Sequence, residues 1–365
     1  MLSVIQSAIT IVIFVFMLGG LVVIHELGHF VIARLARVRV LEFGIGFPPR
    51  ARVLRSEGET LYTLNWLPIG GFVRLEGEDG DSADPRSFVR SPLPTRLIIL
   101  VSGVAMNILL AFAIFFAIAW LANPTVGLVV RDVQAGSPAQ AAGLVPGDRI
   151  VSLGGEPFDY FGASQGSPGM VLLAHAGESV QLGVVRGDGS LASVSATLRA
   201  ADDITVGRGA LGIGFTGSLT GQYIQRPPGE AAGIAVARTG QALSLILDGL
   251  GQLADSIVNR PTEAPPVSGP IGIASQVGDV FWQLGPVFTL YLAGILSANL
   301  ALVNILPFPP LDGGRMLMIT LKRFLGPRIT VRAEQLTYMV GFVFLFAFLI
   351  WITGFDIVRG LGGGS

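Results

Sequence analysis

Cysteine is absent from the 365-residue chain, which excludes disulfide scaffolds, thiolate zinc sites and cysteine nucleophiles. Charge is scarce too, at 13% of residues against about 25% in soluble proteins. The formal net charge is only −1, so nothing indicates nucleic acid or an acidic substrate as a partner. Histidine occurs three times, so any metal site must be built from a few His, Asp and Glu side chains.

Apolar residues take the place of charge, at 51% of the chain. They form four long runs, at residues 5–33, 97–121, 286–306 and 335–353. At about 1.5 Å per helical residue, each run can cross a hydrocarbon core of about 30 Å. The sequence therefore predicts an α-helical polytopic membrane protein with four transmembrane helices.

Basic residues are unevenly distributed between these runs. Ten arginines lie within 34–96, and five more cations follow the third run: Arg315, Lys322, Arg323, Arg328 and Arg332. No Lys or Arg precedes the first run, and the long 122–285 segment carries only eight. The positive-inside rule then places 34–96 and 307–334 in the cytoplasm, with both termini and 122–285 outside.

Two of the connecting segments have patterns of their own. Residues 39–46 and 60–76 are rich in β-branched and aromatic residues, punctuated by Gly and Pro, which predicts a membrane-re-entrant β-hairpin region. The Gly-Ser-Pro-Ala and Gly-Leu-Val-Pro-Gly-Asp-Arg-Ile patterns within 136–155 resemble a PDZ domain. The resemblance covers 126–200 and implies an inserted extracytoplasmic α+β domain.

The chain after this domain is less regular. Residues 229–258 have the amphipathic pattern of a surface helix, whereas 204–220 is Gly-rich strand and turn that could be a degenerate second domain. The predicted order is a first span (1–33), a cytoplasmic β region (34–96), a second span (97–121), the PDZ domain (126–200), strands with an amphipathic helix (201–285), a third span (286–306), a cytoplasmic loop (307–334), a fourth span (335–353) and a tail (354–365).

The first span contains His25-Glu26-Leu27-Gly28-His29. On a helix, the i, i+4 spacing puts both imidazoles on one face and leaves Glu26 placed to handle a proton. A chance motif with satisfied core histidines is the ordinary alternative. Ionisable groups inside a spanning helix are costly and usually functional, so we predict a metal site.

A catalytic zinc takes three protein ligands and one water, so this helix lacks one ligand. The candidate is Asp312, which follows the third span in Pro309-Pro310-Leu311-Asp312-Gly313-Gly314. An ordinary turn is the alternative. In the predicted topology the first and third helices both run from outside to inside, so Glu26 and Asp312 lie at one depth, near the cytoplasmic side.

These motifs, with Asn299-x4-Asn304-x2-Pro307-x-Pro309-x-Leu-Asp-Gly in the third span, occur in order over nearly the whole chain. Together they resemble the site-2 protease family, in its bacterial regulator-of-sigma-E protease branch. The resemblance implies a zinc metalloendopeptidase that binds Zn²⁺ through His25, His29 and Asp312, with Glu26 activating water.

The same resemblance implies further site residues. Asn304 and Asn299 would assist the substrate, and strands near Pro68–Leu75, including Gly70 and Gly71, would contact it. The second span departs from the family pattern. Where many relatives carry Ala-Gly-Pro and then Asn, this chain has Ser102-Gly103-Val104-Ala105-Met106-Asn107.

The expected function is intramembrane proteolysis in the bacterial inner membrane. The expected substrates are single-span membrane proteins, pre-trimmed outside: anti-sigma factors or remnant signal peptides. The PDZ domain would act as a size gate or as a peptide receptor. Two rivals are a non-proteolytic zinc-binding PDZ scaffold and a metal transporter. Glu26 argues against both, because neither binding nor transport needs a carboxylate between the histidines.

Overall fold

A computed structural model describes residues 2–56, 58–78, 80, 82–161, 168–205, 207–260, 263–326 and 330–362. Four helices in it are long and apolar enough to cross a membrane: Val4–Leu35, Leu93–Leu121, Pro286–Asn304 and Arg332–Arg359. The prediction of four such helices is confirmed. Three of them extend beyond their apolar runs, because charged and polar residues at the ends continue the helical backbone. Arg328 lies outside the described residues.

The elements follow one another as α1 (Leu2–Leu35), β1 (Val40–Arg55), β2 (Leu61–Leu75), α2 (Leu93–Leu121), β3 (Asn123–Val133), α3 (Pro138–Ala141), β4 (Arg149–Leu153), β5 (Glu156–Asp159), α4 (Pro168–Ala174), β6 (Ser179–Val185), β7 (Leu191–Thr197), β8 (Ile213–Ile224), α5 (Pro228–Asn259), α6 (Pro270–Gln283), α7 (Pro286–Asn304), α8 (Asp312–Leu325) and α9 (Val331–Gly362). They form two compact units. One comprises Met1–Phe115 with Thr239–Ser365, and the other comprises Phe116–Arg238.

In the first unit, β1 and β2 make an antiparallel sheet that follows α1. Phe43 of β1 pairs with both Tyr62 and Val73. The two halves of β2 therefore lie on opposite sides of β1, and the second half, 71–75, is an outer edge. The sequence predicted strands at 39–46 and 60–76, but β1 continues to Arg55. Pairing with the first half of β2 extends it, although the Pro-Pro-Arg stretch is not strand-like.

Glycines let this sheet lie against α1. A Cβ added to Gly70, whose φ is +96°, would be 2.9 Å from Val22 Cγ1. A Cβ on Gly71 would be 2.8 Å from the Gly44 carbonyl oxygen. The sequence resemblance implied that both glycines contact the substrate. In the structure the crowding neighbours are this protein's own α1 and β1, so packing of the hairpin accounts for Gly70.

The turn between α7 and α8 depends on two more glycines. A Cβ on Gly313 would lie 2.1 Å from the Ile305 carbonyl oxygen, and one on Gly314 would lie 2.5 Å from the Phe308 carbonyl carbon. No side chain fits there, so the chain reverses and begins α8 at Asp312. Ile319 of α8 belongs to a buried cluster with residues of α1 and α2, including Ala33 and Ile99. Asp312 is thereby fixed beside both helices.

The second unit is a six-stranded sheet in the order β7-β6-β4-β5-β3-β8, with two short helices. Ser137 accepts a hydrogen bond from the Gln140 amide and caps α3. The sheet does not end at residue 200, where the predicted domain ends, because β8 pairs along most of β3. Helix α5 covers the predicted amphipathic segment. Its buried Arg238 pairs with Asp159 at 3.0 Å.

Candidate metal centre

Three candidate ligands meet in the first unit. Helix α1 buries His25 and His29 one turn apart, and α8 brings Asp312 to them. His25 Nε2 is 2.9 Å from Asp312 Oδ2, and His29 Nε2 is 3.3 Å from the same oxygen. The two Nε2 atoms are 3.1 Å apart. The structure thus assembles the predicted ligand set from segments that are 287 residues apart in the sequence.

These distances match what zinc requires. Bonds of about 2.0–2.1 Å at tetrahedral angles place ligand atoms about 3.3 Å from one another. The three observed separations lie between 2.9 and 3.3 Å. Two imidazole nitrogens and one carboxylate oxygen are zinc ligands of catalytic sites, so the donor set fits the metal.

A contact at the ring nitrogen that points away from the other ligands fixes the orientation of His29. Its Nδ1 lies 2.7 Å from the main-chain carbonyl oxygen of Ile99. A carbonyl only accepts, so Nδ1 carries the proton and Nε2 directs its lone pair at the centre. The sequence could not indicate this contact, because it involves the backbone of another helix.

Helices α1 and α2 cross closely beside the ligands. A Cβ on Gly28 would be 2.4 Å from the Ser102 carbonyl oxygen. A Cβ on Gly103 would be 2.5 Å from His29 Nε2 and 2.7 Å from His25 Nε2. Gly103 therefore leaves open the space beside both ligand nitrogens. The sequence interpretation did not include it in the site, although a glycine inside a spanning helix was a visible signal.

Glu26 lies half-buried on α1 beside the ligands. Its Oε2 accepts a hydrogen bond of 3.0 Å from the Val73 amide of β2. A cavity of about 200 Å³ opens here, and its walls include Glu26, His29, Gly71, Val73, Asp312 and Arg315. The predicted base, two ligands and the outer edge of β2 therefore share one cavity.

Asp312 has charged neighbours besides the histidines. One helical turn further, Arg315 forms an ion pair with Glu78, which ties the chain after β2 to α8. Burial raises the pKa of Asp312, but the adjoining imidazoles of His25 and His29 outweigh burial and hold that pKa well below its usual range. The carboxylate is therefore ionised, which is the form that binds cations.

The predicted asparagines differ in position. Asn304 Nδ2 lies 3.4 Å from His25 Nε2, so its amide faces the centre. Asn299 is half-buried on the same helix, and within the described ranges its side chain makes no hydrogen bond to the three ligands. The third histidine, His175, belongs to the second unit and pairs with Glu178 at 2.7 Å.

Comparisons with known proteins agree with this centre. The sequence model of peptidase family M50 matches residues 13–348. Provisionally named zinc metalloproteases are similar over most of their length: one from Brucella suis is 28% identical over 95% of each chain. Another from Clostridium acetobutylicum is 29% identical over 97% of this chain and 98% of its own. One from Nostoc is 29% identical over 92% of each. With the family match extending over most of its length, this chain belongs to peptidase family M50, the site-2 protease family that its motifs resemble.

Proposed function

We propose that this protein is a zinc metalloendopeptidase that cuts other membrane proteins within their spanning segments. The observation that carries the proposal is the meeting of His25, His29 and Asp312, with Glu26 beside them, in a bundle of apolar helices. Membership of family M50 supports the peptidase class. A scaffold or a transporter would have no use for Glu26 in this place.

The chain's own residues account for the proton transfers. When bound by the three ligands, zinc would lower the pKa of a water molecule and polarise the scissile carbonyl. Glu26 accepts the proton of that water and passes it to the leaving amine. The Val73 amide holds Oε2 of Glu26, so Oε1 remains available for the proton. Asp312 Oδ2 and the Nε2 atoms of both histidines direct their lone pairs at the centre.

The outer edge of β2 suits an extended substrate. A helical substrate shields its carbonyl groups, so it must unwind, and its freed amides then need partners. Val73 pairs with Phe43 on one side and turns its amide towards Glu26 on the other. Addition of the substrate as a strand along 71–75 would satisfy those amides and place a peptide bond beside the ligands.

The tip of the hairpin supports a re-entrant position in the bilayer. Large apolar side chains are exposed there, on Phe47, Trp66, Leu67 and Ile69. Exposed apolar surface of this extent marks contact with lipid or another protein. We assign it to lipid, because the same sheet packs on the spanning helix α1.

Orientation in the bacterial inner membrane follows from the arginine asymmetry, with 34–96 inside and 122–285 outside. The chain has no cysteine, so single-cysteine variants can be labelled without background. In intact cells an impermeant thiol reagent should spare Ser56→Cys and label Ser190→Cys, both of which are exposed positions. The reverse labelling pattern would overturn the orientation.

The proposed substrates are single-span proteins already trimmed outside, of the anti-sigma factor or remnant signal peptide kind, as in the regulator-of-sigma-E branch. The predicted PDZ domain between the second and third spans would exclude untrimmed proteins.

The test of the function is cleavage of a single-span protein by the purified zinc-loaded enzyme in lipid vesicles. Fragment masses should place the cut within the apolar segment, whereas cleavage confined to soluble loops would contradict the proposal.

Asn304 is expected to contribute to turnover, because its amide faces the centre where an oxyanion would develop. In Asn304→Ala, kcat should fall about 100-fold, since one such donor contributes ~3 kcal/mol to the barrier. Asn299→Ala removes the same side chain one turn and a half away on α7 and is the matched control. Wild-type turnover in folded Asn304→Ala would remove Asn304 from the mechanism.

A further inference from the structure

Asn107 is a fully buried amide inside the spanning helix α2. Its Nδ2 lies 3.3 Å from His25 Nδ1, and its Oδ1 is buried without a hydrogen-bond partner in the described part of the chain. Its main-chain carbonyl accepts a hydrogen bond of 2.8 Å from Ser297 Oγ on α7. A buried polar atom without a partner is costly, so this amide requires an explanation.

The position of the proton on His25 explains why the Asn107 amide is buried there. Its Nε2 faces His29 and Asp312, and a neutral imidazole that offers Nε2 to a cation carries its proton on Nδ1. If the Asn107 amide nitrogen faced that proton, two hydrogen-bond donors would face each other. The two ends of an amide are assigned from hydrogen bonding. Turning the Asn107 side chain by 180° gives the Nδ1 proton an acceptor and gives Oδ1 a partner.

We propose that Asn107 is a positioning residue for the metal centre: its Oδ1 accepts from His25 Nδ1–H and fixes the tautomer that directs Nε2 at the cation. The inference rests on the proposed zinc centre. It assigns His25 the kind of support that the Ile99 carbonyl gives His29 at 2.7 Å. Both ligand histidines are then oriented by acceptors from outside the ligand set.

One face of α2 provides all of this support. Ile99, Gly103 and Asn107 follow one another at four-residue intervals, so they lie on the same side of the helix. The outer two supply the acceptors for the imidazoles. Gly103 between them leaves the space beside both Nε2 atoms. Ser297 fixes the backbone of α2 at Asn107 against α7, the helix that carries Asn304.

The test measures zinc affinity of the purified full-length protein by competition with a chelator of known affinity. Asn107→Leu, which has the same branched outline and no acceptor, should bind zinc about 10- to 100-fold more weakly. Asn107→Asp, which can only accept, should bind at least as tightly as the wild type. Ser297→Ala is the control for helix packing, because it removes the hydrogen bond to the Asn107 backbone and leaves the imidazole contact.

A second measurement does not depend on the variants folding. With only three histidines in the chain, the imidazole nitrogens of zinc-loaded wild-type protein can be resolved by ¹⁵N NMR, and His25 should carry its proton on Nδ1. A proton on Nε2 of His25 would overturn the inference, as would unchanged affinity in folded Asn107→Leu or an equal loss in Ser297→Ala. Wild-type protein that binds no zinc would instead refute the centre itself, and this inference with it.

Discussion

Glu26→Gln is expected to lower the rate of peptide hydrolysis at least about 100-fold, because general-base catalysis typically contributes about 10²–10⁴-fold. Glutamine retains an oxygen that accepts from the Val73 amide, so the side chain should keep its place. It cannot take a proton from water. Since Glu26 is not one of the three converging ligands, zinc content should stay near one per chain.

The measurement combines fragment analysis with zinc determination on the same purified sample. Glu59→Gln is the matched control, because it makes the same chemical change at an exposed site paired with Arg86 and should leave activity unchanged. Full proteolysis by Glu26→Gln would remove Glu26 as the base. Loss of zinc together with activity would instead indicate that this carboxylate supports the metal.

Gly103→Ala is expected to weaken zinc binding. The added methyl group would lie 2.5 Å from His29 Nε2, well inside contact distance. Helix α2 has little freedom to retreat, because Ile99 and Leu100 are buried in a core cluster. Overpacking of this kind costs about 1–3 kcal/mol, which corresponds to roughly 5- to 150-fold in zinc affinity at 1.4 kcal/mol per tenfold.

Gly20→Ala is the control for the helical backbone. Gly20 lies on α1, and a Cβ there meets nothing within 4 Å, so zinc affinity should not change. Calorimetric titration of both variants with zinc, alongside a thermal unfolding measurement, separates a local effect from a loss of fold. Wild-type affinity in Gly103→Ala would show that the space beside the ligand nitrogens is not required.

Sequence alone was enough to name the candidate residues of the metal centre. His25, Glu26 and His29 lie on one helix at a fixed spacing, so local geometry was enough to predict two ligands and a base. Asp312 required one further physical constraint, that two spanning helices running in the same direction bring their ends to one depth. The four apolar helices followed from composition and length, because hydrocarbon leaves the backbone few alternatives.

Tertiary structure decided how the ligands are held. Ile99 contributes a backbone carbonyl, which has no sequence signature, and Gly103 matters only because α1 and α2 cross at that point. The amide of Val73 reaches Glu26 because β2 turns its outer edge to α1. The predicted domain ended at residue 200, but β8 pairs with β3 of the same sheet. Strand pairing depends on partners distant in the chain, so the sequence did not show it. Each of these features is a contact between segments, and a contact between segments exists only once the chain is folded.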